Sequence, residues 1–309
     1  MGLFDSAQDV LGRAGEALDK GVVAARGAVS GMAVEQHAVA RGFARVCKEG
    51  WRQGWHERNG GNLTCLLSAE QVEQCASFFY TTPSSWVPFS QEVPCLAGRV
   101  LMTTATGAHL RNVPDALEEN AGMVEVSSDG SAWRIVWGFR NEGRPTSEIS
   151  AHASCLAARQ AAGFAQASVV YHAHPSNLIA LTLLRSWDSA RLTRTLWGSM
   201  AEGIIAAPYG VCVAGWITPG TPELAQACQD AMGVANALVM AQHGVFCCGE
   251  DFDDAFSTVH TLEKAAGIYL TARAANGGSD DFENGIPLEG LRDLAQRYNL
   301  PVNWEFLEG

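Results

Sequence analysis

The sequence predicts an α/β protein, a mixed central sheet covered by helices on both faces and preceded by an N-terminal helical extension. Three observations carry that prediction. Of 309 residues, 47% are hydrophobic and 17% charged, which supplies a large core with less charge than the roughly 25% usual in soluble domains. From Gly60 onward, short runs of β type alternate with helical stretches, the pattern of layered α/β folds. Residues 2–30 differ from the rest, being rich in Ala and Gly and free of Pro and of aromatics after Phe4.

In that extension Phe4, Ala7, Leu11, Ala14, Leu18, Val22 and Ala25 recur at helical spacing, an amphipathic helix weakened by Gly12, Gly15 and Gly21. Gly27, Ser30 and Gly31 read as a hinge, which divides the chain into a 1–31 extension and a 32–309 body. A second helix is expected from Ala33 to Gln53. Runs of β type follow at Leu63–Leu67, Val100–Thr104, Met123–Val126, Trp133–Trp137, Val169–His174, Ile204–Ala207 and Ala237–Met240. Helical stretches separate them at Ser147–Ala162, Leu178–Leu183, Pro222–Met232 and Phe252–Ala275, with a last helix near Leu288–Tyr298.

Composition narrows the function. With 33 acidic against 21 basic residues the net charge is -12, which repels nucleic-acid phosphates and anionic lipid. An anionic substrate therefore needs local help from a metal or from a nest of backbone N–H groups. The 9 cysteines include no C-x-x-C pair and read as reduced cytoplasmic thiols. The apolar stretch Gly203–Ile217 has 15 residues and contains Pro208, short of the ~20 that span a bilayer. The start lacks the basic n-region of a signal peptide. A soluble, cytoplasmic protein is expected.

The strongest chemical signal is Tyr171-His172-Ala173-His174 at the end of an apolar run. On a strand, residues two apart share a face, so His172 and His174 present both imidazoles to one ion. His243 follows the run Leu238-Val239-Met240 and precedes Gly244, placing a third imidazole where a strand gives way to a turn. Three neutral imidazoles with an open position describe a catalytic Zn²⁺ site. Asn59-Gly60-Gly61-Asn62 reads either as an anion-gripping turn or as a helix cap leading into a hairpin. Thr106-Gly107, after a strand, and Thr146-Ser147, before a helix, add hydroxyls with equally ordinary turn and capping roles. Glu148 opens that helix, where an acid suits the dipole; beside a metal it becomes a candidate general acid/base.

Together these segments resemble the class II, zinc-dependent aldolase and adducin superfamily. The resemblance runs from about Trp51 to the C-terminal helix on the stretches 54–64 (GWHERNGGNLT), Ser127-Ser128-Asp129-Gly130, Pro145-Thr146-Ser147-Glu148, 172–182 (HAHPSNLIALT) and His243-Gly244-Val245-Phe246. It implies one Zn²⁺ per subunit on His172, His174 and His243, phosphate contacts from Asn59, Gly60, Asn62, Thr106, Gly107 and Ser147, and catalysis by Glu148. It further implies a homotetramer whose sites lie between subunits, with Glu202 reaching a neighbour's site. The implied reaction is retro-aldol cleavage of a ketose 1-phosphate to dihydroxyacetone phosphate and an aldehyde, with L-rhamnulose 1-phosphate the sugar that fits best. A 4-epimerase of pentulose phosphates and a non-catalytic adducin-like module are the rivals.

Two departures stand out. Ala105-Thr106-Gly107-Ala108 occupies the place of the family's Gly-Ser-Gly-Lys loop, adding two methyls and losing a cation. Residues 2–30 have no counterpart, and an amphipathic helix behind a hinge suits docking to a protein shell or scaffold. The remaining histidines are read as structural: His37, His109 and His260 on the surface, His56 where the family has an acid, and His152 as packing or support one turn past Glu148.

Overall fold

The computed structural model describes residues 33–282 and 284–308. Its strands are β1 (Asn62–Leu66), β2 (Val87–Pro88), β3 (Val100–Thr104), β4 (Ala121–Val126), β5 (Ala132–Gly138), β6 (Val169–Ala173), β7 (Cys212–Ala214), β8 (Ala237–Met240) and β9 (Gly244–Gly249). They form one sheet in the order β2-β5-β4-β3-β1-β6-β9-β8-β7. Every pairing is antiparallel except β7 with β8, so the sheet is mixed, as the sequence predicts.

The helices, in chain order, are α1 (Ala38–Arg52), α2 (Ala69–Cys75), α3 (Leu117–Asn120), α4 (Ile149–Ala161), α5 (Ser176–Leu184), α6 (Ser189–Ser199), α7 (Glu202–Ala206), α8 (Pro222–Met232), α9 (Phe252–Ala275), α10 (Leu288–Arg297) and α11 (Glu305–Glu308). The sheet is covered on both faces, and the alternation of strand side chains sorts them into two apolar layers. Tyr171, Ala173, Val245 and Cys247 pack with residues of α1, α5, α6 and α9. Val170, Phe246 and Cys248 pack with residues of α4 and α8. His172 belongs to this second face, its ring stacked on Phe246 at 4.3 Å.

Several local outcomes differ from the expectations; α2, α6, β2 and β7 form where no element is expected. The run Ile204–Ala207 lies mostly within a helix, not a strand, because α7 spans Glu202–Ala206. Ile204 is buried with Trp197, Leu291 and Ala295, and a short apolar run carries no period that separates the two states. The helix expected from Ala33 begins as a 3₁₀ turn, Val34–Gln36, and restarts at Ala38 after extended His37. Strand β9 escapes a period-based reading because all six of its residues are buried. The amphipathic helix expected over residues 2–30, and the boundary after residue 31, lie outside the described residues. Among the described residues no helix is long and apolar enough to cross a membrane.

Candidate metal and acid-base centre

Adjacent strands bring the histidines together. β6 delivers His172 and, just past its end, His174, while neighbouring β8 and β9 are joined by a tight turn carrying His243. Gln242 takes φ +55° there, a left-handed conformation that sharpens the turn. One nitrogen from each ring lies within 4.8 Å of the others.

The rings are also held in the state a metal needs. Nδ1–H of His172 donates to the Val245 carbonyl at 3.0 Å, and Nδ1 of His174 stands 2.7 Å from a Glu57 carboxylate oxygen. Each Nδ1 is thereby occupied, and the Val245 carbonyl and the Glu57 carboxylate fix the lone pair of their ring on Nε2. The two Nε2 atoms face each other at 3.2 Å. Two bare acceptors at that distance repel, and a cation between them relieves it, so the donor set fits a divalent metal. Burial above all, then the neighbouring histidines, pushes the His172 pKa well below its ordinary value. Burial likewise pushes His243 down to about 4, which keeps these two imidazoles, His172 and His243, neutral at neutral pH.

Glu148 occupies the N-cap position of α4, makes no capping hydrogen bond with its side chain, and is buried. Its Oε2 lies 3.6 Å from Nε2 of His172 and its Oε1 lies 4.0 Å from Nε2 of His243. Burial raises the Glu148 pKa, and the hydrogen bond from Asn62 partly opposes that rise. The Asn62 amide donates to Oε2 at 2.7 Å while its Oδ1 bonds Nε2 of His152. Of the residues expected to contact phosphate, Asn62 is thus tied to the acid, with one amide proton left over. Oε1 of Glu148 has no hydrogen-bond partner among the described residues.

The other expected phosphate residues fall in two places. Asn59 is exposed on the turn that follows left-handed Arg58, at φ 51°. Gly60 lies against His174, where a Cβ would stand 2.9 Å from the ring. Thr106 and Ser147 line a cleft of about 820 Å³ that also takes in Arg144 and Thr146. Gly107, at φ +73°, opens onto free space beside them. The methyls of Ala105 and Ala108 are buried in the second apolar layer, so they leave the cleft unobstructed. Arg144 brings a cation where the loop itself has none.

Glu202, first residue of α7, is exposed and makes no hydrogen bond or ion pair with the histidines or Glu148. Four residues of the site carried no functional reading from sequence. His56 is buried between the Gly60 carbonyl at 3.1 Å and the Tyr171 hydroxyl at 2.8 Å, and so clamps the glycine turn. Its pKa falls to about 3, chiefly through burial. His152 is bonded to Asn62, a role its spacing of four from Glu148 hinted at, since both then face one side of α4. Glu57 and Arg144 gave no signal, because their partners lie far along the chain.

The family model of the class II aldolase and adducin N-terminal domain matches residues 41–270. A rhamnulose-1-phosphate aldolase of Listeria welshimeri is 36% identical over 81% of this chain and 88% of its own. One from Escherichia coli is 34% identical over 86% of this chain and 96% of its own. Among solved structures, a sugar-phosphate aldolase from Thermotoga maritima superposes with a TM-score of 0.65 at 24% identity, over 79% of this chain and 97% of its own, a likeness of fold. Family, curated relatives and fold agree with the three-histidine cluster that could hold a metal, and the chain belongs to the class II aldolase and adducin family, a metal-dependent family in which it is an aldolase, a carbon–carbon lyase.

Proposed function

We propose that the protein cleaves L-rhamnulose 1-phosphate to dihydroxyacetone phosphate and L-lactaldehyde, reversibly, with one Zn²⁺ held by His172, His174 and His243. The observation that carries this reading is the buried Glu148 carboxylate within 4.0 Å of His172 and His243, two members of a three-imidazole cluster. Bound zinc supplies Lewis-acid stabilisation of negative charge on the substrate oxygens. The relatives named above supply the sugar.

Glu148 moves the proton. When the C–C bond breaks, its electron pair stays on the triose carbon, and Glu148 delivers a proton there; in synthesis it removes the same proton. A raised pKa suits both directions, since burial keeps the acid form available nearer neutral pH. Asn59, Gly60, Thr106, Gly107 and Ser147 bind the phosphate, with the leftover Asn62 proton adding to them and Arg144 replacing the lost loop cation. We read the body, residues 32–309, as a cytoplasmic homotetramer. The Glu202 carboxylate of a neighbouring subunit would then take the proton that the hydroxyl loses as it becomes the aldehyde oxygen, and exposed Trp216 on the single chain suits an assembled interface.

Incubating zinc-loaded protein with rhamnulose, fuculose and ribulose phosphates while following triose phosphate release tests the reading. Release is expected, fastest from rhamnulose 1-phosphate, and should vanish on chelation and in His172→Ala. Epimerised pentulose phosphate without triose release would refute it.

A further inference from the structure

Glu148 reaches its place through a chain of buried hydrogen bonds whose far end is His152. That ring sits on α4 with no solvent exposure, edge-on to Phe246 at 5.2 Å. Its Nε2 bonds Oδ1 of Asn62, and Nδ2 of Asn62 donates to Oε2 of Glu148 at 2.7 Å. Its other nitrogen, Nδ1, has no hydrogen-bond partner among the described residues.

An asparagine amide can face a carboxylate with either end, and only the NH₂ end attracts it. Something must therefore choose the orientation of Asn62. With its proton on Nε2, His152 donates to Oδ1; rotating the amide by half a turn would then set N–H against N–H at His152 and C=O against carboxylate at Glu148. With the proton on Nδ1 instead, a buried donor would be stripped of water with no acceptor to replace it, and Nε2 would draw the NH₂ end away from Glu148. The unpartnered Nδ1 thus selects the tautomer, and the tautomer selects the amide.

We propose that His152 is a positioning residue: acting through Asn62, it holds the donor end of that amide on Oε2 of Glu148 and leaves Oε1 as the oxygen that exchanges the proton. This rests on the acid-base role proposed for Glu148. His152 itself is too deep to touch substrate. Asn62 pairs with His172 across β1 and β6, so the same amide ties the acid to the strand that bears two metal ligands.

The first test needs no substrate. In intact protein labelled with [¹⁵N]histidine, metal-free and zinc-loaded, the resonances absent from a His152→Gln variant should show a neutral ring protonated on Nε2. A ring protonated on Nδ1 would overturn the proposal. The second test uses turnover. His152→Met, which removes the donor, should lower kcat on the order of 10- to 100-fold, the usual effect of losing an outer-shell partner, with KM and zinc content unchanged. His152→Gln, whose amide nitrogen takes the place of Nε2, should recover most of that loss. In an Asn62→Ala background, His152→Met should then change kcat little. Equal losses in the Met and Gln variants, or losses that multiply with Asn62→Ala, would overturn it. A wild-type protein inert on every ketose phosphate but carrying the Nε2 proton would overturn the proposed reaction while supporting the orientation of Asn62.

Discussion

A Cβ on Gly61 would stand 2.8 Å from the carbonyl oxygen of His172. The glycine turn and the ligand-bearing strand are that close because β1 and β6 pair from Asn62 and His172 onward. Gly61 also holds φ +70°, which costs an ordinary residue roughly 1–2 kcal/mol. Gly61→Ala should therefore push the turn off His172 and His56, weakening zinc binding at least 10-fold by competition with a chromophoric chelator. Unchanged affinity would mean that the turn and the strand are not mechanically coupled.

Glu148→Gln should preserve fold and zinc content yet reduce kcat on the order of 10² to 10⁴, the scale of a positioned acid or base. If Glu202 acts across an interface, mixed oligomers of Glu148→Gln and Glu202→Ala subunits should regain activity from sites assembled out of two intact halves. No recovery, with subunit exchange demonstrated, would place both residues in one chain's site.

Arg144 and Asn59 are proposed to bind the phosphate, a group that keeps the same contacts in the ground and transition states. Arg144→Gln and Asn59→Ala should each raise KM with kcat nearly unchanged, and Arg144→Gln should weaken competitive inhibition by inorganic phosphate. A fall in kcat at constant KM would move either residue from binding to chemistry.

Acid should unfold the metal-free protein through its buried imidazoles, His56 and His152 among them. His56 and His152 are each pushed from 6.5 down to about 3, chiefly by burial. The unfolded chain takes up those protons below about 6.5 and the folded one resists, so stability present above that pH is lost as pH falls toward 3. These two groups contribute about 2.7 kcal/mol per pH unit to the slope read from urea midpoints, which the buried His172 and His243 of the metal-free protein steepen further. His56→Gln should reduce the slope by about 1.4 kcal/mol per pH unit; an unaltered slope would assign acid unfolding to other groups.

Deleting residues 2–30, read as a docking helix, should leave kcat and the assembly intact and abolish co-purification with a shell or scaffold partner. Loss of the assembly would make the segment a structural part of the enzyme.

Short-range chemistry was legible in the chain itself. The two-residue step of His172 and His174, on an apolar run, placed both on one face of a strand, and the apolar run before His243 marked a second strand end. Pro222 and Asp251 mark helix starts that coincide with α8 and α9. The family's sequence stretches added Glu148. What tertiary structure decided were relations between distant segments: His152 against Asn62 over 90 residues, Glu57 against His174 over 117, and Arg144 in one cleft with Thr106. It also settled the run at Ile204, whose helix forms because Trp197 and Leu291 bury it. Periodicity records which face of an element is apolar, whereas the partner of a polar atom depends on the sheet order, which joins β1 to β6 across more than 100 intervening residues and leaves no local trace.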